Sequence, residues 1–313
     1  GARLEGRGGD CLPPLAVRGG ALTGIAYASP VASAQVATCV LLAGLAAAGT
    51  TSVALPGPAR DHTERMLPAF GVRLEVDPLP GGGRRTTLAG GQTPRGAEVA
   101  VPGDFSGAAF ALAAAAATPG ASVTATGVDL NPTRTGLLDV LAAMGAGVAI
   151  APADEAAGEP FGDVTVTGPE ALAPFDVPAA WLPRLLDEVP AWTVAASAAR
   201  GASRLTGAAE LRVKESDRLA ALAEGLAALG LGVRELPDGL EVTGGVPRGG
   251  VRVRTHLDHR IAMAFAALGS RAAEPVWFDD VASVDTSYPG YFGTLAALGA
   301  GLVPDPGPDG GAA

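Results

Sequence analysis

The sequence predicts an α/β protein of two domains, each assembled from repeated βαβαββ units, and three observations lead there. Alanine-rich helical segments start at Ser33 (SAQVATCVLLAGLAAAG), Asp104 (DFSGAAFALAAAAATPG), Asp187 (DEVPAWTVAASAARG) and Asp258 (DHRIAMAFAALG), spaced 71, 83 and 71 residues apart. A second series of helices stops at Gly71, Gly145, Gly230 and Gly299, spaced 74, 85 and 69 residues apart, glycine being the residue that most readily takes the left-handed backbone closing a helix. Two phases of one repeat therefore agree. Residues 121–125 (ASVTA), 164–167 and 251–254 alternate apolar and polar between Gly and Pro punctuation, the period of a half-buried strand.

The elements follow in order. Residues 1–5 (GARLE) resemble the GVRLEV and GAGVAI stretches that follow second helices, so the chain is expected to open inside a repeat, on a hairpin whose face lacks its helices. That reading makes the fold incomplete at the N-terminus, with a preceding segment of the same fold expected ahead of Gly1. The four helix pairs then recur as full units. Their Ala-rich helices are apolar almost all round, which places them inside bundles flanked by sheet. The Gly/Pro-rich stretch 81–102, with QTPRG inside it, marks the boundary between a domain at 1–98 and a second at 99–313. The tail PDPGPDGGAA reads as solvated end material.

Composition narrows the function classes. A net charge of −10 argues against broad nucleic-acid or membrane-surface partners, and 48% hydrophobic with 17% charged residues excludes disorder. Aromatics at 4% exclude a base-stacking module and leave Ala, Leu and Val to build the core. Two cysteines, Cys11 and Cys39, fit a reducing interior and cannot alone make a zinc site. The apolar runs at 41–48 and 108–117 are shorter than the roughly 18 residues that a membrane span needs. No HExxH or Cys/His metal spacing, phosphate-binding GxxxxGK[ST] loop or GxSxG elbow is present.

Three polar clusters carry candidate chemistry. Lys214 is the single lysine among 22 basic residues, and it stands in LRVKESDRL at 211–219. Lysine can give up its proton when its surroundings lower its pKa, whereas arginine effectively cannot, so a proton-transferring cation must be Lys. Lys214 and Arg218, four apart, would share a face at a helix start and hold an anion; the plainer reading is a solvated helix start paired with Glu210 and Asp217. Asp258-His259-Arg260 opens an Ala-rich helix, with Asp258 its N-cap. Asp187-Glu188 holds the corresponding place one repeat earlier, and paired carboxylates facing a lysine suit acid/base work. The third cluster is 59–65 (ARDHTER), with Ser33 and Gln35 opening the helix before it; here the plain readings are caps at Asp61, Thr63 and Ser33 and an ion pair for Arg65.

SAQV, RDHTERML, VPGDFSGAAF, LNPTRTGLLDVLAAMGA, LRVKESDRLA, DHRIAMAF and TSYPGYF, in this order, resemble the 5-enolpyruvylshikimate 3-phosphate synthase family over 15–303. The resemblance implies an enolpyruvyl transferase fold of two inside-out α/β barrel-like domains. The first domain here would be the C-terminal part of the one that binds shikimate phosphate, and the second would carry the catalytic Asp, Lys and Arg residues. It implies transfer of the enolpyruvyl group of phosphoenolpyruvate to the 5-hydroxyl of shikimate 3-phosphate, by a cytoplasmic monomer without metal or organic cofactor. Carried over by position, Asp187, Lys214 and Glu215 are the proton-transfer set. Ser33, Ala34, Gln35, Arg60, Asp187 and Lys214 contact shikimate 3-phosphate, and Gln35, Arg218 and Arg260 contact phosphoenolpyruvate. Ala34 stands where some members have Ser, Ala59 where many have Ser or Thr, and Thr286 where some, but not all, have Lys. Three alternatives remain open at this point: a transferase acting on UDP-N-acetylglucosamine, against which LRVKESDR argues, a non-catalytic fragment that only binds shikimate 3-phosphate, and a partial product with no independent fold.

Overall fold

Alanine lines the helices that sit deepest, and small side chains let their backbones approach closely. The computed structural model describes residues 1–303; the tail at 304–313 lies outside the described residues. The chain divides into two compact units, one formed by Gly1–Val101 with Glu155–Pro160, the other by Pro102–Asp154 with the chain from Phe161 onward.

The first unit opens on strand β1 (Arg3–Gly6), the one-turn segment α1 (Arg7–Asp10) and strand β2 (Leu12–Arg18). Arg3 lies opposite Arg18 and Leu4 opposite Val17 in an antiparallel hairpin. Leu4, Leu12, Leu15 and Val17 are all exposed, so the face expected to be unburied is so. A complete βαβαββ unit follows: β3 (Ala26–Ala28), α2 (Ala34–Leu45), β4 (Thr50–Leu55), α3 (His62–Met66), β5 (Leu74–Pro78) and β6 (Arg84–Ala89). Its sheet runs β3-β4-β6-β5, with β3 and β4 parallel and β6 antiparallel to both its neighbours. Ala37, Leu41 and Leu45 of α2 meet Val53, Leu55, Leu67, Val72 and Leu88 in a core of their own. Burial here is one-sided, contrary to the expectation for an all-apolar helix: Cys39 and Leu42 face outward because the sheet covers a single side of α2.

The second unit contains α4 (Phe105–Ala117), β7 (Ser122–Asp129), α5 (Gly136–Ala143), β8 (Gly147–Ala156) and β9 (Glu159–Thr167) apart from their residues within 155–160, which count with the first unit, then α6 (Val189–Ala196) and β10 (Ala202–Leu205). It continues through α7 (Arg218–Ala228), β11 (Gly232–Leu236), β12 (Gly239–Thr243), β13 (Val251–Val253), α8 (His259–Gly269), β14 (Val276–Phe278) and α9 (Tyr291–Ala297). Strands pair as β7-β9-β8, β10-β12-β11 and β13-β14, the last parallel. In two copies the opening strand shrinks to isolated bridges, Gly103 to Val128, Leu172 to Ala199 and Asp176 to Arg204. Pro102, Pro169, Pro174 and Pro178 punctuate those segments, and a proline has no N–H to give a ladder.

α4, α6 and α8, one from each copy, pack on one another, and every residue of α6 is buried. This trio fills the middle of the core, with Phe110, Leu112, Trp192 and Phe265 at 0% exposure. The second helices end as the glycines require: Gly71, Gly145, Gly230 and Gly299 have φ of 77°, 97°, 76° and 100°. Among the described residues no helix is long and apolar enough to cross a membrane.

Close approach can outweigh helix propensity. A Cβ on Gly225 of α7 would lie 2.2 Å from Cζ of buried Phe265, whereas one on Gly293 of α9 would meet nothing within 4 Å. Gly225→Ala is therefore expected to cost about 1–3 kcal/mol in urea unfolding, while Gly293→Ala is expected to gain up to about 1 kcal/mol.

Candidate active site

The N-termini of α4, α6 and α8 converge, and each carries acidic residues. Asp104 caps α4 through the amides of Ser106 and Gly107, and Asp258 caps α8 through the amide of Arg260 at 3.0 Å. α6 differs from its expected start. Asp187 lies in a 3₁₀ turn, Leu186–Glu188, ahead of a helix that begins at Val189, and the cap position belongs to Glu188, whose side chain makes no cap hydrogen bond. Pro190 in the first turn contributes no N–H, so the helix presents fewer donors to cap.

Lys214 is likewise not on a helical face. Ala209–Val213 form a 3₁₀ turn, Lys214 is extended, and α7 begins only at Arg218, with Asp217 capping it through the Ala220 amide. The loop, not a helical period, brings the cations together. Lys214 Nζ lies 2.6 Å from Glu210 and 3.8 Å from Asp187 Oδ1, and Arg218 Nη1 lies 3.8 Å from the same oxygen. Asp217 serves Arg212 at 2.9 Å instead of Lys214.

Arg218 is buried, its side chain 1% exposed, and its charge is answered on two sides. Nε and Nη2 reach the two oxygens of Asp258 at 2.8 and 3.2 Å, and Nη2 also meets Glu215 at 2.6 Å. Asp258 therefore does more than cap: it takes Arg218, the Ser216 hydroxyl and its own helix amide at once. His256 and Leu257, just before it, hold left-handed backbone at φ 54° and 56°, conformations that non-glycine residues keep only where their surroundings demand them. Burial opposes ionisation of Asp258, but Arg218 and the amide and hydroxyl donors win, holding it below the usual carboxylate range.

Arg260 donates to the Asp187 carbonyl at 3.0 Å and lies 3.8 Å from Glu188 Oε1. Arg134, from the loop before α5, lies 3.8 Å from the same oxygen, and Ser106 Oγ joins them, accepting from Arg134 and donating to Glu188. Burial raises the Glu188 pKa, against the pull of Arg134, the Ser106 hydrogen bond and Arg260. Burial and the neighbouring Arg260 lower that of His259.

The first unit holds the other sequence-predicted residues. Ser33 caps α2, accepting from the Val36 amide at 3.4 Å, and Ala34 and exposed Gln35 follow in the first turn. Arg60 stands just before α3 in a segment that Arg84 clamps, donating to the carbonyls of Ala59 and Arg60 while pairing with buried Glu64 at 2.7 Å. Asp61 does not cap α3 by its side chain; it meets Arg65 at 2.9 Å. His62 pairs with Glu159 at 2.7 Å, and Thr63 with Thr38. Sequence reasoning passed over Arg84, Ser106 and Arg134, although the last two lie inside the quoted VPGDFSGAAF and LNPTRTGLLDV segments, and it gave Glu64 of the 59–65 cluster no role of its own.

Residues 1–295 match the family described as EPSP synthase (3-phosphoshikimate 1-carboxyvinyltransferase). The chain belongs to the EPSP synthase family. A 3-phosphoshikimate 1-carboxyvinyltransferase of Xanthomonas campestris pv. campestris (strain 8004) is 52% identical over 310 residues, covering 98% of this chain and 68% of that protein. The enzyme of the same name from Synechococcus sp. (strain JA-3-3Ab) is 48% identical over 300 residues, covering 95% of this chain and 66% of that protein. Among solved structures, EPSP synthase from Acinetobacter baumannii superposes with a TM-score of 0.86 at 40% identity, over 96% of this chain and 68% of that one. The enolpyruvyl transferase NikO from Streptomyces tendae does so at 0.70 and 17% identity, over 96% and 69%, and shows the fold alone. The enolpyruvyl transferase fold implied by the sequence is thus the fold of this EPSP synthase family member.

Two buried carboxylates generate predictions of opposite kind. Asp258→Ala, which strands Arg218 in the interior, is expected to cost about 3–5 kcal/mol in chemical denaturation. A raised folded pKa means that the contribution of Glu188 to stability is fully present below its ordinary value of 4.5 and is lost as pH rises through the folded value. Glu188→Gln is therefore expected to gain stability relative to wild type as pH rises from about 4.5 to 8, read by urea unfolding at each pH.

Proposed function

We propose that this chain transfers the enolpyruvyl group of phosphoenolpyruvate to the 5-hydroxyl of shikimate 3-phosphate, releasing phosphate; the name its relatives carry, 3-phosphoshikimate 1-carboxyvinyltransferase, supports the acceptor and the group transferred. The observation that carries the reading is the meeting of Lys214, Arg218 and Arg260 at Asp187, beside converging helix N-termini, in a member of this family.

The chemistry is addition followed by elimination. The 5-hydroxyl oxygen bonds to C2 of phosphoenolpyruvate while its proton leaves and a proton is added to C3, which becomes a methyl group. The C2–O bond to phosphate then breaks, a methyl proton is removed, and the double bond re-forms. Both steps need a group that takes a proton and one that gives it, roles suited to Asp187 and Lys214 with Glu215 beside them. Arg218 and Arg260 would hold the phosphate and carboxylate of phosphoenolpyruvate, with Gln35 a further contact. Ser33, Ala34, Gln35, Arg60, Asp187 and Lys214 would hold shikimate 3-phosphate, Ala34 through its backbone since it has no side-chain polar group. Guanidinium forks and the positive ends of α4, α6 and α8 favour such polyanions. The residues named supply acid, base and anion-binding groups, so the reading calls for no metal or organic cofactor; a monomer working in the cytoplasm is carried over with the family resemblance.

The test is phosphate release by the natural polypeptide that carries this sequence. Release is expected with phosphoenolpyruvate plus shikimate 3-phosphate; release with UDP-N-acetylglucosamine instead, or ligand-induced stabilisation without any release, would overturn the proposal. Lys214→Arg keeps the positive charge but loses the removable proton. It is expected to lower kcat by about 10²–10⁴-fold while phosphoenolpyruvate binding persists, measured by steady-state kinetics and calorimetry.

A further inference from the structure

We propose that Glu188 is a positioning residue for phosphoenolpyruvate, setting the Arg260 guanidinium through a carboxylate oxygen that Arg260 shares with Arg134 and Ser106. The inference rests on the reading of Arg260 as an anion-binding residue.

Each arginine expected to grip the substrate has a buried acid behind it. For Arg218 that acid is Asp258, at 0% exposure. For Arg260 it is Glu188, at 2%. Among the described residues the Arg260 side chain has two partners, the Asp187 carbonyl and Glu188. Without Glu188 the guanidinium would hang from one backbone oxygen, able to turn about that bond.

A buried carboxylate is expensive to desolvate, and it is repaid only by close partners with good geometry. Glu188 has one hydrogen bond, from Ser106, and two guanidinium charges at 3.8 Å, drawn from three elements. Ser106 reaches it from α4, Arg134 from the loop before α5 and Arg260 from α8, while Asp187 adjoins it in the chain and Asp104 lies 3.8 Å from Arg134. It caps nothing, so helix capping does not account for it. What the arrangement achieves is a fixed separation of two like charges: both guanidinium groups lie 3.8 Å from one oxygen, and each remains 13% exposed. Arg260 is thereby held against Arg134's repulsion while part of its side chain stays exposed.

The sign of the expected effect separates positioning from mere charge. Glu188→Gln keeps the shape and removes a negative charge from beside an anion site, so electrostatics alone would tighten phosphoenolpyruvate. Loss of position works the other way. In the natural polypeptide, Glu188→Gln is expected to lower kcat/KM for phosphoenolpyruvate by about tenfold or more, with KM for shikimate 3-phosphate within about twofold of wild type. Calorimetry with phosphoenolpyruvate at saturating shikimate 3-phosphate, run in a Lys214→Arg background so that the two substrates do not turn over, is expected to show weaker binding when Glu188→Gln is added. Unchanged or improved constants for phosphoenolpyruvate, whatever happens to the melting temperature, would overturn the proposal. If Glu188→Gln does not fold, Ser106→Ala decides: it keeps every charge, and it is expected to lower kcat/KM for phosphoenolpyruvate about threefold, no change being the contrary result. Wild-type protein that binds phosphoenolpyruvate without releasing phosphate would refute the transferase reading alone, with the binding comparison still deciding the role of Glu188. Wild-type protein that binds none would overturn both.

Discussion

Three alanine-rich helices packed side by side, with their N-termini at one end, are the constraint on which the second unit depends. Close approach requires small side chains, and α4 is largely alanine for that reason. Their parallel sense follows from the repeat, since each opens a copy of the same unit. Its consequence is electrical. Three helix N-termini, each with a partial positive charge and unsatisfied amides, meet where Asp104, Asp187, Glu188 and Asp258 stand. At the other end, the last turn of α4 and the residues just after α6 and α8 share a cavity with Arg271, a half-buried cation whose Nη1 donates to Ser197. Burial lowers the Arg271 pKa, yet a cation suits the negative end of helices.

Acids at the convergent end are arranged as much around arginines as around helix amides. Asp258 is both cap and counter-ion, which explains why a carboxylate at 0% exposure stays ionised. Arg218 is thus immobilised before any ligand arrives, with Nη1 directed at Asp187 and Glu215 as its exposed partner. Preorganised cations of this kind lose little on binding an anion, because the cost of ordering them has been met in folding. In the first unit, buried Glu64 holds Arg84, which in turn clamps the carbonyls around Arg60. The same device, a buried acid placed behind a guanidinium, is used twice more at the helix N-termini.

The spacing of alanine-rich segments and stop glycines determined the repeat, the order of the elements and the helix ends at Gly71, Gly145, Gly230 and Gly299, because backbone period and positive φ are local properties. The clusters around Lys214, Arg260 and Arg60 were also legible, since charge at a helix start is conspicuous in an otherwise apolar chain. Local spacing misled where the backbone left the helix: Lys214 and Arg218 are four apart, but a loop separates them. Which acid answers which arginine was decided only by tertiary structure. Asp258 reaches Arg218 across 40 positions, and Glu188 reaches Ser106 across 82. No periodic signal links residues so far apart; their meeting depends on how three helices pack, and a buried charge accepts whichever partner that packing brings within reach.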